Sequence, residues 1–281
     1  MPRMPARDKR LPIAVFDSGV GGLTVLHECL GSLPQEDFVY LGDTARFPYG
    51  VREADELREL ALDLAELLLA EGAKLLVVAC NSATAAALPQ LRAALAGRVG
   101  VVAVVEPESR LAAGATRNGQ IGLLATPATV SSAAYERALA AAAPEATLHA
   151  VACPELAPLI QAGEAFDQRL VDCVEGYCQP LRAAGTDTVI LGCTHYPLVR
   201  PILQRALGRG VVLVTSGEAI ADAVRDELVA EGIENDGERR GAYRFLCTGD
   251  PEAFRALGTR FLQMPLGEVR RLEVGGARRA A

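Results

Sequence analysis

Residues 74–95 read KLLVVACNSATAAALPQLRAAL. An apolar, β-branched run stops at Cys80, the small polar residues Asn81, Ser82 and Thr84 follow at once, and an alanine-rich pattern carrying Leu88, Leu91 and Leu95 continues. The periodicity changes within a few residues from that of a buried strand to that of an amphipathic helix. A strand feeding directly into a helix is the unit from which parallel sheets with crossover helices are built.

The same unit recurs at 186–207, TDTVILGCTHYPLVRPILQRAL, where Cys193 stands where Cys80 stood. Working outward, strand-like runs lie at 13–17, 37–43, 74–80 and 99–106, and a second series at 120–126, 147–153, 186–193 and 210–216. IAVFDSG aligns with IGLLATP 108 positions on, and the two cysteine runs align 113 positions apart. Two offsets so close predict a duplicated α/β unit. The fold class is therefore α/β: two similar domains with mainly parallel sheets, related by a pseudo-twofold, with a cleft between them. Residues 1–104 with 215–281 are expected to form the first domain and 105–214 the second, with VEP (105–107) and VTS (214–216) as hinge strands. The stretch VREADELRELALDLAELLLAEG (51–72) has acids in its first turns, leucines three and four apart, and Gly72 as a stop, so it reads as a helix.

With 281 residues, half of them hydrophobic, the chain can fill two cores. The absence of an uncharged apolar run of about 18 residues argues against a membrane span, and MPRMPARDKRLP lacks the apolar centre of a signal peptide, so a cytoplasmic location is expected. A net charge of -7 argues against a nucleic-acid partner. Seven scattered cysteines do not form a disulfide framework, and their spacing does not suit a structural zinc, so most should be free thiols and no metal is expected.

In open α/β sheets, ligands bind beyond the carboxyl ends of strands, where Cys80 and Cys193 both fall. A helix N-terminus there lowers a thiol's pKa and, with the hydroxyls of Ser82, Thr84 and Thr194, holds a small carboxylate. Read alone, either cysteine fits better as a small buried hydrophobe. As a pair in matching halves they suit a reaction needing a base on one face and an acid on the other. DSGVGG (17–22) lacks the spacing of a phosphate loop; Asp17 and Ser18 suit an ammonium and a carboxylate, although Ser18 as a helix cap fits as well. GDTARFPYG (42–50) is a tight loop; overhanging the cleft, it would bring Tyr49 and Gly50 to a ligand while Asp43 orients other groups. His195 is a general acid, an aid to its thiol, or a surface residue, and His27 and His149 are packing or surface residues.

Together FDSGVGGLTVL, GDTARFPYG, ACNSATA and GCTHYPL resemble the aspartate/glutamate racemase superfamily, and the ending CTHYPL resembles its glutamate racemases. The resemblance implies two α/β domains facing each other across a substrate cleft, no cofactor, and interconversion of L- and D-glutamate that supplies peptidoglycan synthesis. Carried over, Cys80 takes the α-proton of D-glutamate and Cys193 that of L-glutamate, with Asp17 and His195 assisting. The substrate site consists of Asp17, Ser18, Asp43, Pro48, Tyr49, Gly50, Asn81, Ser82, Thr126, Thr194 and His195. As further partners the resemblance leaves open a homodimer and a cell-wall precursor as activator.

Two positions depart from the family pattern. Ser82 stands where threonine is usual, keeping the hydroxyl. In ACPELAPLIQAG, Gln161 stands where an acidic helper is frequent; an amide cannot take up the proton, and the neighbouring acids are Glu155 and Glu164. Only two lysines occur, Lys9 and Lys74, neither well placed for the Schiff base of a pyridoxal enzyme. Rival readings are a sister enzyme, an aspartate or hydantoin racemase or a decarboxylase, and an amino-acid-binding protein, for which paired thiols are unnecessary.

Overall fold

Each of the eight apolar runs contains a strand, which fills the whole of 13–17 and in the other seven is shorter than the run because its ends pass into loops or helix starts. A computed structural model describes residues 8–162 and 167–274, with Glu218 described by its backbone alone. The first series is β1 (Ile13–Asp17), α1 (Leu23–Ser32), β2 (Phe38–Gly42), α2 (Ala54–Ala70), β3 (Leu75–Val78), α3 (Asn81–Leu95) and β4 (Gly100–Ala103). The second is α4 (Val105–Ala115), β5 (Gln120–Ala125), α5 (Pro127–Ser131), α6 (Ala134–Ala142), β6 (Thr147–Ala152), α7 (Leu156–Ala162), α8 (Gln168–Ala183), β7 (Thr188–Gly192), a 3-10 turn (Tyr196–Val199), α9 (Arg200–Leu207) and β8 (Val212–Val214). The chain ends with α10 (Ser216–Glu231), β9 (Tyr243–Cys247), α11 (Pro251–Leu262) and β10 (Val269–Arg271).

The strands form two sheets, ordered β10-β9-β2-β1-β3-β4 and β6-β5-β7-β8, and every pairing is parallel. Within the first, β2-β1-β3-β4 has the strand order of the whole second sheet. The repeat holds in register: β1 and β3 pair Ile13 with Leu75, β5 and β7 pair Ile121 with Thr188, and the offsets of 108 and 113 convert one pair into the other. After leaving the second sheet the chain returns, and β9 pairs with β2.

Alternation along β1 divides the core. Ile13 and Val15 join the apolar cluster containing Val25 and Leu26 of α1 and Val224 and Leu228 of α10, which continues into the second sheet through Leu123 and Leu191. Ala14 and Phe16 face Leu57, Leu64 and Leu68 of α2 and Leu91 of α3. Fully burying each such leucine contributes roughly 1.5–3 kcal/mol. Gly72 terminates the region after α2 with φ +79°, a conformation that disfavours any residue with a Cβ.

The segments expected to be hinge strands are built differently. Residues 105–107 form the first turn of α4, and at 214–216 the chain passes from the end of β8 into α10. Glu106 and Glu108 lie in that first turn of α4, where acids favour the helix dipole, and Pro107 is tolerated there because its missing N–H has no helical acceptor.

Candidate active site

The two thiols come from equivalent corners. Cys80 is the N-cap of α3, its Sγ 3.5 Å from the N–H of Ala83, and Cys193 follows β7 directly. Both bound a single cavity of about 240 Å³, together with Ser18, Pro48, Tyr49, Gly50, Asn81, Ser82, Thr126, Thr194 and His195. That volume lies below the roughly 300–1,000 Å³ of sites for drug-sized ligands and suits one small polar molecule. Phe47, Pro154, Ala157 and Pro158 add apolar wall, and sequence motifs did not single them out. A wider groove of about 770 Å³ between α3, α4 and α6 is bounded by Arg58, Arg110 and Arg137 and contains neither thiol.

Two expected site residues stand behind the cavity. Asp17, at the end of β1, is fully buried; it accepts from the Gly19 N–H at 3.0 Å and the Thr194 hydroxyl at 3.4 Å, tying the two halves together beneath the thiols. Gly21 makes the same junction close: a Cβ there would collide with Thr194 Oγ1 and His195 Nδ1. Ser18 does not cap α1, whose N-cap Gly22 makes no side-chain bond; its side chain borders the cavity instead.

Asp43 organises the 42–50 loop. It accepts from the Tyr49 hydroxyl, from Arg46 Nε at 2.6 Å and from the Thr248 hydroxyl at 2.7 Å. Tyr49 is thereby almost wholly buried with its hydroxyl turned away from solvent. The loop reaches the other half at Gly50, whose carbonyl accepts from the Ala128 N–H at 2.9 Å; a Cβ on Gly50 would sit 2.6 Å from Thr126 Cβ. Lack of a side chain permits that approach.

On the opposite wall, Ser82 Oγ lies 2.9 Å from Thr126 Oγ1 and 3.3 Å from Thr129 Oγ1, a buried hydroxyl cluster spanning α3 and α5. Asn81 donates Nδ2 to Tyr135 Oη at 2.8 Å and to Glu108 Oε2 at 3.1 Å. Thr84, expected beside the carboxylate, turns its hydroxyl to the Val78 carbonyl at 3.3 Å and borders the wider groove instead.

The electrostatics correct one expectation. Burial pushes the Cys80 thiol up to about 12, with the Asp17 charge adding to it; the N–H of Ala83 and the hydroxyl of Ser18 offset this only in part. Burial likewise drives Cys193 well above the usual thiol range. The helix N-terminus favours thiolate as expected, but removing the sulfur from water outweighs it. Burial also raises the Asp17 carboxyl and lowers His195 to about 3, so His195 is neutral at physiological pH.

His195 is 1% exposed, with Nδ1 3.9 Å from Cys193 Sγ and Nε2 2.9 Å from Gln161 Oε1. It is therefore not a surface residue, and it lies beside the thiol. Glu155 pairs at 3.7 Å with Arg169 and is absent from the cavity wall, and Glu164 lies outside the described residues. His27 and His149 bond elsewhere, to the Leu262 carbonyl and the Gln120 side chain. Lys74 is buried against Glu36 at 2.5 Å. All seven cysteines are unbridged. Among the described residues no helix is long and apolar enough to cross a membrane.

Known proteins resemble this chain along nearly its whole length. A model of the Asp/Glu/Hydantoin racemase family matches residues 23–224. A glutamate racemase of Beutenbergia cavernae is 47% identical, covering 92% of this chain and 91% of its own. Among solved structures, a glutamate racemase isoform of Bacillus anthracis superposes with a TM-score of 0.89 at 35% identity, covering 95% of this chain and 98% of its own. The Escherichia coli glutamate racemase, solved with L-glutamate and the activator UDP-MurNAc-ala, gives 0.77 at 32% identity over 94% of this chain and 99% of its own. By motif order, strand order and these likenesses, the chain belongs to the Asp/Glu/Hydantoin racemase family, as a racemase enzyme of its glutamate racemase branch.

Proposed function

We propose that this enzyme interconverts L- and D-glutamate without a cofactor by a two-thiol mechanism, and that the D-glutamate supplies peptidoglycan synthesis in the cytoplasm. The carrying observation is that one cavity receives a thiol from each of two repeated strand–helix corners. Cys80 as thiolate removes the α-proton of D-glutamate, leaving a carbanion that takes a proton from the Cys193 thiol on the other face; the reverse direction exchanges these roles. Burial keeps both thiols protonated, so ionisation depends on the substrate: its ammonium places positive charge near the sulfurs and favours thiolate. In the L-to-D direction, where Cys193 must be thiolate, His195, neutral and beside it, accepts that thiol's proton; in the D-to-L direction Asp17 assists the ionisation of Cys80. Ser18, Pro48, Tyr49, Gly50, Asn81, Ser82, Thr126, Thr194 and His195 surround the substrate, with Asp43 holding Tyr49. The N–H groups opening α3 and the hydroxyls of Ser82 and Thr194 receive its carboxylates, and water exclusion strengthens these interactions.

Residues 1–104 with 215–281, and 105–214, are proposed as the two bodies that close on the substrate. A homodimer and a cell-wall precursor activator of the class in the Escherichia coli structure are proposed as partners. The test is solvent deuterium exchange into glutamate and aspartate with no cofactor added, using wild type, Cys80→Ala and Cys193→Ala. Exchange into glutamate by wild type, with full racemisation lost in each variant by roughly 10³-fold or more, is expected. Preference for aspartate overturns the substrate, and sustained racemisation by either variant overturns the two-thiol mechanism.

A further inference from the structure

Behind Asn81 lies a buried polar hub that the racemisation scheme leaves unused. Glu108 of α4 has no solvent exposure, and its carboxylate accepts from Ser216 at the start of α10, from Tyr135 of α6, and from Asn81 Nδ2 at 3.1 Å. Asn81 Nδ2 also donates to Tyr135 Oη at 2.8 Å, so both its hydrogens are committed to the hub. A carboxylate only accepts, so rotating the amide by half a turn would set Oδ1 against an oxygen of like charge. Orientation is therefore dictated by Glu108. The consequence is visible at the other end of the amide: Asn81 Oδ1 is buried without a hydrogen-bond partner, on a residue bordering the thiol cavity. A buried acceptor left unpaired is costly and rare, and this one belongs to a residue in the wall of the thiol cavity.

We propose that Glu108 is a positioning residue for substrate binding, which holds Asn81 so that Oδ1 faces the bound amino acid and accepts from its ammonium group. This rests on the glutamate reading of the cavity. Glu108→Gln replaces one accepting oxygen by a donor; Asn81 can then turn over, offering Oδ1 to the new amide and Nδ2, the wrong sign, to the ammonium.

The test compares glutamate with glutarate, the same carbon chain and two carboxylates without the ammonium, on the full-length enzyme well above the pKa of Glu108. Glu108→Gln should raise the glutamate KM about tenfold, the worth of one charge-assisted hydrogen bond, with kcat changed less than about threefold and the inhibition constant of glutarate unchanged. In an Asn81→Ala background the same substitution should add nothing to KM. Equal weakening of glutamate and glutarate, or additive effects in the double variant, overturns the proposal and leaves Glu108 a merely structural group. Should Glu108→Gln fail to fold, as judged by thermal melting, Tyr135→Phe, which removes the other acceptor of Asn81 Nδ2, carries the same comparison with a smaller rise in the glutamate KM expected and glutarate again unchanged. A wild-type protein that neither racemises glutamate nor binds glutarate refutes the substrate reading itself, a different outcome from either.

Discussion

His195 meets Gln161 with Nε2 2.9 Å from Oε1, and this contact sets the tautomer of the ring. Gln161 Oε1 accepts, so neutral His195 donates from Nε2 and presents the lone pair of Nδ1 to Cys193, 3.9 Å away. Burial keeps the ring at about 3, a weak base for the thiol it faces. An acid in place of Gln161 would keep the acceptor and add a negative charge that favours imidazolium.

Gln161→Glu is therefore expected to raise the pKa of His195 and with it the population of the imidazolium–thiolate pair. Alkylation of Cys193 by iodoacetamide, followed by mass spectrometry in a Cys80→Ala background, should accelerate on the order of tenfold, the effect of a shift of about one pKa unit. An unchanged rate would show that Gln161 does not act on the thiol through His195.

At the junction beneath the thiols, Gly21 lies so close to Thr194 and His195 that any Cβ must displace them. Gly21→Ala is expected to cost roughly 1–3 kcal/mol of stability by overpacking and to lower kcat/KM on the order of 10²-fold by moving His195. Gly31→Ala, in α1 with nothing within 4 Å of the added methyl, is the control: it should stabilise by roughly 0.5–1 kcal/mol and leave kinetics alone. Thermal melts and steady-state rates on both variants check this, and equal kinetics would dissociate Gly21 from His195 placement.

Much of this arrangement is legible in sequence because it is local. Leu75–Val78 is buried throughout, so β3 writes itself as a continuous apolar run, and the thiol that ends it marks the strand's carboxyl end. The repeat is legible for the same reason, through two offsets that reappear as strand register. What stays hidden depends on tertiary neighbours. Glu108 looks like one more acid opening a helix, and only the fold brings Tyr135 and Ser216 to it from 27 and 108 residues away. The direction of the thiol pKa is hidden likewise, because a helix terminus is visible in the chain whereas depth of burial is not. Thr84 follows its neighbours in the motif, yet the helical turn points it at Val78.

Lys74 illustrates a residue whose work is in stability. Its Nζ is 2.5 Å from Glu36 Oε2, the two side chains being 0% and 5% exposed, and it also donates to the carbonyls of Lys9 and Ile233. Lys74→Met leaves the Glu36 charge buried without that cation and should lower the unfolding free energy by about 3–5 kcal/mol in urea titrations. Racemisation per folded molecule should be unaffected, since the pair lies outside the cavity; lost activity without lost stability would give Lys74 another role.

Glu108 also makes stability depend on pH, with a definite sign. Burial, offset by bonds from Ser216, Tyr135 and Asn81, raises its carboxyl from 4.5 to about 7. The folded protein thus holds this proton more tightly than the unfolded chain, a contribution fully present below 4.5 and lost as the pH rises through about 7. The groups facing it, Tyr135 from α6, Ser216 from α10 and Asn81 from α3, do not change charge in that range, since burial pushes Tyr135 well above the usual phenol value. Glu108→Gln lacks the titration. Across this interval the unfolding free energy of the variant should gain on that of wild type by about 3 kcal/mol, read from urea curves at about pH 5 and about pH 8. A constant difference between the two proteins would mean that Glu108 ionises in the fold as it does in the open chain, and that its hub is wetter than the buried contacts require.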